Sequence, residues 1–362
     1  MNKFKAIFIS ALVLISMSAI SAPKVYGKLN IAVDSDSSDV TSNSDNSTDI
    51  DLISNASRLG FKGKVDMKNG LTGIYQIEYE IDITGDSTKG PKNLVSIDDS
   101  GTAVLGAGPD NTFGTADDVI TVTDPTFEKE NSGVQFNQRN SFVGLKGSFG
   151  TFKLGTHDTP LKLAQLKADL FNDLVGDIKN VTDGENRIGS FFGYDSPVFG
   201  GGVSISLSLG KGKDNGINTD LDGEFGNNIS VSLKYDIDVI KFVLATENNS
   251  IKGFDHNRLG MMIPAGPVTI GLIHTTTESS IGNSVDYDAT TVSIAGKVAD
   301  GKGKIKFQYG TSDKSEGLTQ TSIGYDHKLF KKFKIFTYVT RRSQDAANKD
   351  DSHVGLGIEY KF

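Results

Sequence analysis

The sequence has no cysteine and no tryptophan, and only 8 of its 362 residues are proline. A chain of this length buries enough surface to fold without disulfides, and an unpaired thiol is a hazard in an oxidising compartment. The absence of cysteine therefore fits an exported protein. Long apolar runs are also scarce. The mean hydropathy of −0.23 excludes a bundle of membrane helices, because each span needs about 20 nearly uncharged apolar residues.

One apolar run lies at the N-terminus, at residues 6–20. Two lysines precede this run, and small residues follow it. This is the layout of a secretory signal peptide, and the small residues predict cleavage after Ser21. We expect residues 1–21 to be removed and residues 22–362 to form the mature domain.

Positive charge is in short supply as well. The chain has 45 acidic residues against 37 lysines and arginines, a net charge of −8, and loss of the leader with its two lysines makes this −10. A nucleic-acid partner would require a basic face that neutralises phosphates. The acidic balance therefore argues against nucleic acid.

What the sequence does have is strict alternation of apolar and polar residues. From His353 to Phe362 every second residue is apolar. A period of two places these side chains on one face of a β-strand. The same reading predicts sixteen strands, at 25–34, 57–66, 71–83, 138–147, 150–157, 188–195, 202–210, 228–236, 239–248, 255–263, 267–277, 286–297, 302–312, 318–327, 333–343 and 352–362.

The connections between these strands alternate between short turns and mostly longer polar segments. A transmembrane β-barrel shows this asymmetry, with tight turns at one rim and elaborated loops at the other. Strands of about ten residues, tilted by about 40°, rise roughly 25 Å, which matches the apolar band of an outer membrane. The predicted fold class is all-β: a sixteen-stranded antiparallel transmembrane β-barrel.

Six blocks in the order 25–30, 57–63, 139–147, 150–155, 194–201 and 360–362 carry a family resemblance. The sequence resembles the general porins of Gram-negative bacteria. The resemblance implies a homotrimeric outer-membrane channel among lipid and lipopolysaccharide, with short periplasmic turns and passive diffusion of small hydrophilic solutes and ions. It also implies that Phe362 is a signal read by the outer-membrane barrel assembly machinery.

The segment 158–187 does not alternate. Its leucines recur at helical spacing, and its aspartates form a second stripe. The resemblance implies that this third long loop folds into the lumen and narrows it, with the apolar stripe on the wall and the acids facing water. The alternative is a helix over the barrel mouth. The candidate acids of the constriction are Asp158, Asp169, Asp173 and Asp177.

The resemblance also implies a basic wall opposite this loop. Lys28, Arg58 and Lys62 have the parity opposite to the apolar face of their strands, while Arg139 and Arg187 are carried over from neighbouring blocks. Acids facing bases would place a transverse field across the passage, which orders dipolar solutes. Because the loop has more acids than bases, the sequence predicts mild cation preference.

The second long loop contains clustered aspartates, Asp110, Asp117 and Asp118. Hard oxygens close together can bind Ca²⁺, but the full calcium-loop pattern is missing, so a solvated turn is the default. No cofactor is expected.

Three other functions compete with the general channel. A substrate-specific channel is the first alternative, and a surface adhesin is the second. An outer-membrane hydrolase would require a nucleophile with an oriented base. None of the five histidines lies in a G-x-S-x-G or H-E-x-x-H setting, so no enzyme is predicted.

Overall fold

The computed structural model describes residues 22–39, 48–84, 103–106, 119–122, 136–213, 224–281, 286–314, 317–344 and 349–362. The predicted leader 1–21 and the calcium candidates Asp110, Asp117 and Asp118 lie outside these residues. The chain divides into two units, Met1–Glu80 with Gln138–Phe362, and Ile81–Asn137.

The first unit is a closed antiparallel β-barrel. Within the described residues, its sheet contains 18 strand segments. Two wall strands are interrupted, so that β2 and β3 form one of them and β7 and β8 form another, which leaves sixteen wall strands. The predicted fold class is confirmed. The strands are β1 Lys24–Asp39, β2 Thr48–Ser54, β3 Arg58–Asp66, β4 Thr72–Ile81, β5 Ala103–Gly106, β6 Val119–Val122, β7 Phe136–Gln138, β8 Ser141–Gly147, β9 Gly150–Asp158, β10 Arg187–Asp195, β11 Val203–Gly210, β12 Asn228–Ile237, β13 Ile240–Asn248, β14 Phe254–Ala265, β15 Val268–Ser279, β16 Tyr287–Val298, β17 Gly303–Ser312, β18 Leu318–Phe330, β19 Phe333–Gln344 and β20 Lys349–Lys361.

The barrel closes between its first and last strands. β1 pairs with β20 from Lys28 opposite Lys361 to Asp39 opposite Asp350. Gly27 and Phe362 continue this seam with two backbone hydrogen bonds, of 3.4 and 3.2 Å. The C-terminal residue is thus part of the wall.

The register places the charged candidates on the lumen side. Lys28 lies opposite Arg58, and Arg58 lies opposite Glu80, so the three share one face. The alternate residues, such as Leu356 and Ile358, are exposed on the outer face. A period of two makes this separation automatic once the strands pair.

The structure differs from the prediction in the first long loop. β1 extends to Asp39, and β2 continues the second wall strand where a loop was expected. The two halves of that strand meet at a β-bulge, since three residues, 55–57, face two on β1. Ala56 has a φ of 49° there. In the sequence, the alternation of Ile50 and Leu52 with polar residues is the pattern that could have predicted this strand.

The segment between β9 and β10 folds onto the inner wall, so the alternative of a helix over the mouth is wrong. Phe171 and Leu174 pack against the lumen-facing side chains of Ala32, Phe336 and Tyr338. We call residues 159–186 the inner loop. Only the short helices α1, Pro160–Leu163, and a 3₁₀ turn, Ile178–Asn180, form in it.

The helical spacing of the inner loop therefore does not become a continuous helix. Leu166 and Asp173 have φ values of 57° and 68°, a left-handed conformation that ends a right-handed helix. No helix among the described residues has the length and hydropathy needed to cross a bilayer.

The second unit contains one described hairpin. β5 and β6 pair antiparallel, from Ala103 opposite Val122 to Gly106 opposite Val119. The sequence reading assigned this region to a loop, although its Val and Ile residues favour strands.

Candidate functional site

The two ends of the inner loop are held to the wall by one buried arginine on β14. The Arg258 side chain has 0% exposure, and its Nη1 donates to Glu185 Oε1 at 2.5 Å. Its Nη2 donates to the Asp183 carbonyl at 2.7 Å, and Nη1 to the Leu161 carbonyl at 3.3 Å. Arg258 therefore joins the start and the end of the loop to a single point.

Two glutamines hold the middle of the loop. The amides of Gln308 and Gln320 both donate to the Gly176 carbonyl, at 3.0 and 2.9 Å. Gln308 also accepts from the backbone N–H of Leu170 at 2.8 Å. These bonds satisfy backbone groups that would otherwise be buried without partners.

The tip of the loop reaches the basic wall through Asp173. Lys28 Nζ donates to Asp173 Oδ2 at 2.7 Å, and the Arg58 guanidinium bonds the same oxygen. Burial alone would raise the pKa of this carboxyl, but the two cations lower it to about 2. Asp173 therefore stays ionised and bridges the loop to the wall.

The acidic stripe was expected to face water, but Asp169 and Asp177 are buried. They are only 8% and 5% exposed. Asp169 accepts from the backbone N–H of Phe171 at 3.1 Å, and Asp177 from those of Lys179 and Asp173 at 2.9 and 3.0 Å. Burial raises the pKa of both carboxyls. These two carboxylates therefore provide hydrogen-bond acceptors for backbone N–H groups in the turns of the loop.

Asp158 and Arg187 form a pair where the inner loop leaves and rejoins the wall. Arg187 Nη2 lies 2.9 Å from Asp158 Oδ1, and Lys162 Nζ lies 3.4 Å from the same oxygen. Asn140 donates to Asp158 Oδ2 at 2.9 Å. The acid is thus neutralised by two cations.

Arg139 lies between two wall carboxylates. Its Nε donates to Glu78 at 2.9 Å, and its Nη1 to Glu80 at 2.6 Å. Lys62 stands apart from this cluster. It is exposed, and its Nζ lies 4.6 Å from the centre of the Tyr26 ring.

The structure brings four of the five basic candidates into two ion-pair groups, which we call the charge network. One group joins Lys28, Arg58 and Arg139 with Asp173, Glu78 and Glu80, and the other joins Arg187 with Asp158. Sequence reasoning missed Glu78, Glu80 and Arg258 as site residues. Parity placed all three on the polar face; Glu78 and Glu80 meet bases of adjacent strands, whereas Arg258 meets Glu185 of the inner loop.

The remaining acids of the inner loop are also engaged. Asp183 accepts from Tyr287 and from Lys314 Nζ at 2.9 Å, and these two groups lower its pKa although burial would raise it. The charged side chains of the loop that remain exposed are Lys167 and Lys179. The charge that the loop presents to water is therefore mainly positive.

The chain matches the family model of the Gram-negative porin over residues 9–361. This chain belongs to the Gram-negative porin family. It is 23% identical to the major outer membrane protein P.IB of Neisseria gonorrhoeae over 317 residues, 84% of this chain and 74% of that protein.

Two solved porins share the fold. The anion-selective porin from Comamonas acidovorans has a TM-score of 0.65 and 19% identity, over 94% of this chain and 99% of that one. The trimer form of OmpT from Vibrio cholerae has a TM-score of 0.57 and 13% identity, over 94% and 99%.

This porin is an outer-membrane channel for passive diffusion. Its tight turns face the periplasm, and its long loops face the outside.

Proposed function

We propose that the inner loop and the basic wall form the eyelet of this porin, and that the eyelet favours small anions. The candidate wall residues are Lys28, Arg58, Arg139 and Arg187. Field lines concentrate in a narrow water-filled passage with low-dielectric walls, so a small excess of one charge biases ion entry.

The pairing of the loop acids carries this proposal. Asp158 and Asp173 are each compensated by two cations. Asp169 and Asp177 are buried with raised pKa values. The excess of acids over bases in the loop predicted cation preference, but that count treats all carboxylates as equal.

The likeness to the Comamonas porin, described as anion-selective, supports the same direction. In this proposal Asp173 divides its charge between Lys28 and Arg58, Arg187 shares Asp158 with Lys162, and Arg139 is balanced by Glu78 and Glu80. Dipolar solutes would align between the loop and this wall.

Reversal potentials across planar bilayers under a KCl gradient test the proposal. We expect a potential of the sign that chloride selectivity gives, and a shift toward potassium in the double variant Arg139→Gln/Arg187→Gln. Arg341→Gln is the control, because Arg341 is a β19 arginine of outward parity and 67% exposed. A potassium-selective wild-type channel would contradict the proposal.

A substrate-specific channel remains the second candidate, and liposome swelling separates the two. A smooth size cutoff supports general diffusion, whereas saturation by one solute supports a specific channel. Transport of either kind requires no bond to form or break, so we propose no enzymatic activity.

We also propose that three chains form a homotrimer in contact with lipopolysaccharide, and that Phe362 is read by the assembly machinery. The trimeric OmpT supports the oligomer. Single-channel recordings of unheated protein should show closure in three equal steps. Phe362→Ala should reduce the amount inserted into the outer membrane, and unchanged insertion would contradict the role of Phe362.

A further inference from the structure

A group of lysines lies on the lumen face near the periplasmic turns, on β16 to β20. We call Lys297, Lys304, Lys306, Lys334 and Lys361, with Asp326 and Glu359, the lysine shelf. Lys297 lies opposite Lys304, and Lys304 lies opposite Asp326, so the three share one face. The shelf therefore spans five neighbouring strands.

The two carboxylates of the shelf are shared among several cations. Lys306 Nζ lies 2.9 Å from Asp326 Oδ1, and Lys334 Nζ lies 3.3 Å from Asp326 Oδ2. Glu359 lies 3.6 Å from Lys334 Nζ and 3.1 Å from Lys361 Nζ. Five ammonium groups thus face two carboxylates, which leaves an excess of positive charge.

Two other groups of lumen lysines near the turns are better balanced. Lys153 has its own carboxylate, Asp195, at 2.8 Å. Lys234 and Lys241 share Asp236, each at 2.6 Å. The excess positive charge of the shelf is therefore larger than that of either of these two groups.

The inner loop adds to this concentration. Lys306 Nζ lies 4.5 Å from the centre of the Phe171 ring, so the shelf lies directly beside the loop. Lys167 is a further exposed cation of the same loop. Only 4% of the Lys306 side chain is exposed and it is paired with Asp326, so Lys306 takes up one shelf carboxylate and leaves the more exposed Lys297, Lys304, Lys334 and Lys361 to face the lumen.

We propose that the lysine shelf binds small multivalent anions that enter from the periplasmic side. A monovalent anion exchanges one contact for another along the lumen, whereas a multivalent one meets several ammonium groups at once. The inference rests on the proposed anion preference and adds a substrate class to it. Such anions would be retained at the shelf and would reduce the ion current.

Side-specific block of the current tests this inference, with inorganic pyrophosphate as the probe. The chain has no cysteine, so Val239→Cys places a unique thiol on an exposed periplasmic turn. Thiol-coupled biotin, with streptavidin added to one compartment, reports which compartment faces the turns. We expect concentration-dependent block when pyrophosphate is added on the turn side, and much weaker block from the loop side.

The variants identify the shelf as the binding site. Lys304→Gln/Lys334→Gln should weaken the block about tenfold, since two partly exposed charge contacts are lost. Lys153→Gln, which removes a balanced lysine of the same lumen half, should leave the block nearly unchanged. Block of equal strength from both sides, or equal weakening in both variants, would overturn the inference.

The outcome is separable from that of the proposed function. A chloride-selective channel that pyrophosphate does not block overturns the shelf and leaves the eyelet proposal standing. A potassium-selective channel overturns the eyelet proposal, and turn-side block that depends on Lys304 and Lys334 would then still support the shelf.

Discussion

The inner loop is attached at its base and at its tip by arginine–carboxylate contacts, but the two attachments lie in different surroundings. At the base, Arg258 is completely buried and bonds Glu185 together with two backbone carbonyls. At the tip, Arg58 and Lys28 bond Asp173, and all three side chains are partly open to the lumen, with exposures of 12 to 18%.

Because of this difference, we expect the base attachment to matter for stability and the tip attachment to matter for ion passage. A buried charge that loses its partner is strongly destabilising, so the base attachment holds the loop in place. A pair that is partly open to water costs less to break, so in the proposed eyelet the tip attachment can change the charge of the passage without releasing the loop. The same residue types therefore hold the fold at one end and, in the proposed eyelet, act on ions at the other.

Removing the base attachment should give the largest effect. Arg258→Leu leaves Glu185 and two carbonyls without their donor, and we expect a loss of about 3–5 kcal/mol in the free energy of unfolding. We also expect larger and noisier conductance, because the loop is released. Urea unfolding in detergent and single-channel recording measure the two effects.

A paired substitution provides the control for this prediction. Arg258→Leu/Glu185→Leu removes both charges, so part of the stability should return even though the attachment is gone. If Arg258→Leu alone leaves both stability and conductance unchanged, the assignment of Arg258 as the base attachment is wrong.

Breaking the tip attachment should change ion selectivity more than stability. Asp173→Asn removes the carboxylate that compensates Lys28 and Arg58, so the reversal potential should move further toward chloride. The free energy of unfolding should fall by about 2 kcal/mol, less than for Arg258→Leu. A loss of stability as large as that of Arg258→Leu would remove the distinction between the two ends.

Lowering the pH should protonate some carboxylates of the loop before others, because their pKa values differ. Asp169 and Asp177 have raised pKa values and take up protons first as the pH falls, whereas Asp173, with a pKa of about 2, stays charged. The lowered pKa of Asp173 adds stability above its unfolded value of about 3.9, and this is lost as the pH approaches 2.

We therefore expect chloride preference to increase between pH 7 and pH 4 while the loop stays attached. Reversal potentials at the two pH values measure this change. Asp169→Asn/Asp177→Asn should reduce the pH dependence. A shift toward potassium on acidification would contradict the pKa order.

The smallest effect is expected at Lys62. This lysine contacts the Tyr26 ring and lies outside the charge network, so Lys62→Gln should shift the reversal potential less than Arg58→Gln does. Both substitutions remove one positive charge from the same strand, which makes them a matched pair. An equal shift in the two variants would show that position within the lumen is unimportant.

The strands were predictable because each one carries its own signal. Residues 353–362 need no partner to reveal which side faces lipid, since alternation is local. The same parity placed Lys28 and Arg58 in the lumen. Arg258 lay on the polar face of its strand as well, but nothing in β14 indicates that its partner is Glu185, 73 residues away.

The inner loop was predictable in outline only. Its leucines and aspartates recur at helical spacing, which assumes a regular backbone, and the left-handed residues Leu166 and Asp173 break that regularity. Asp169 and Asp177 consequently point into turns, where backbone N–H groups bind them.

By itself, the sequence determined the sheet, the number of wall strands and the division of each strand into a lipid face and a lumen face. These follow from a two-residue period that short segments express alone. The tertiary structure decided which lumen charges are paired, buried or open to water. That outcome depends on side chains from separate strands and from the inner loop meeting in three dimensions, and our proposal of an anion preference rests on it.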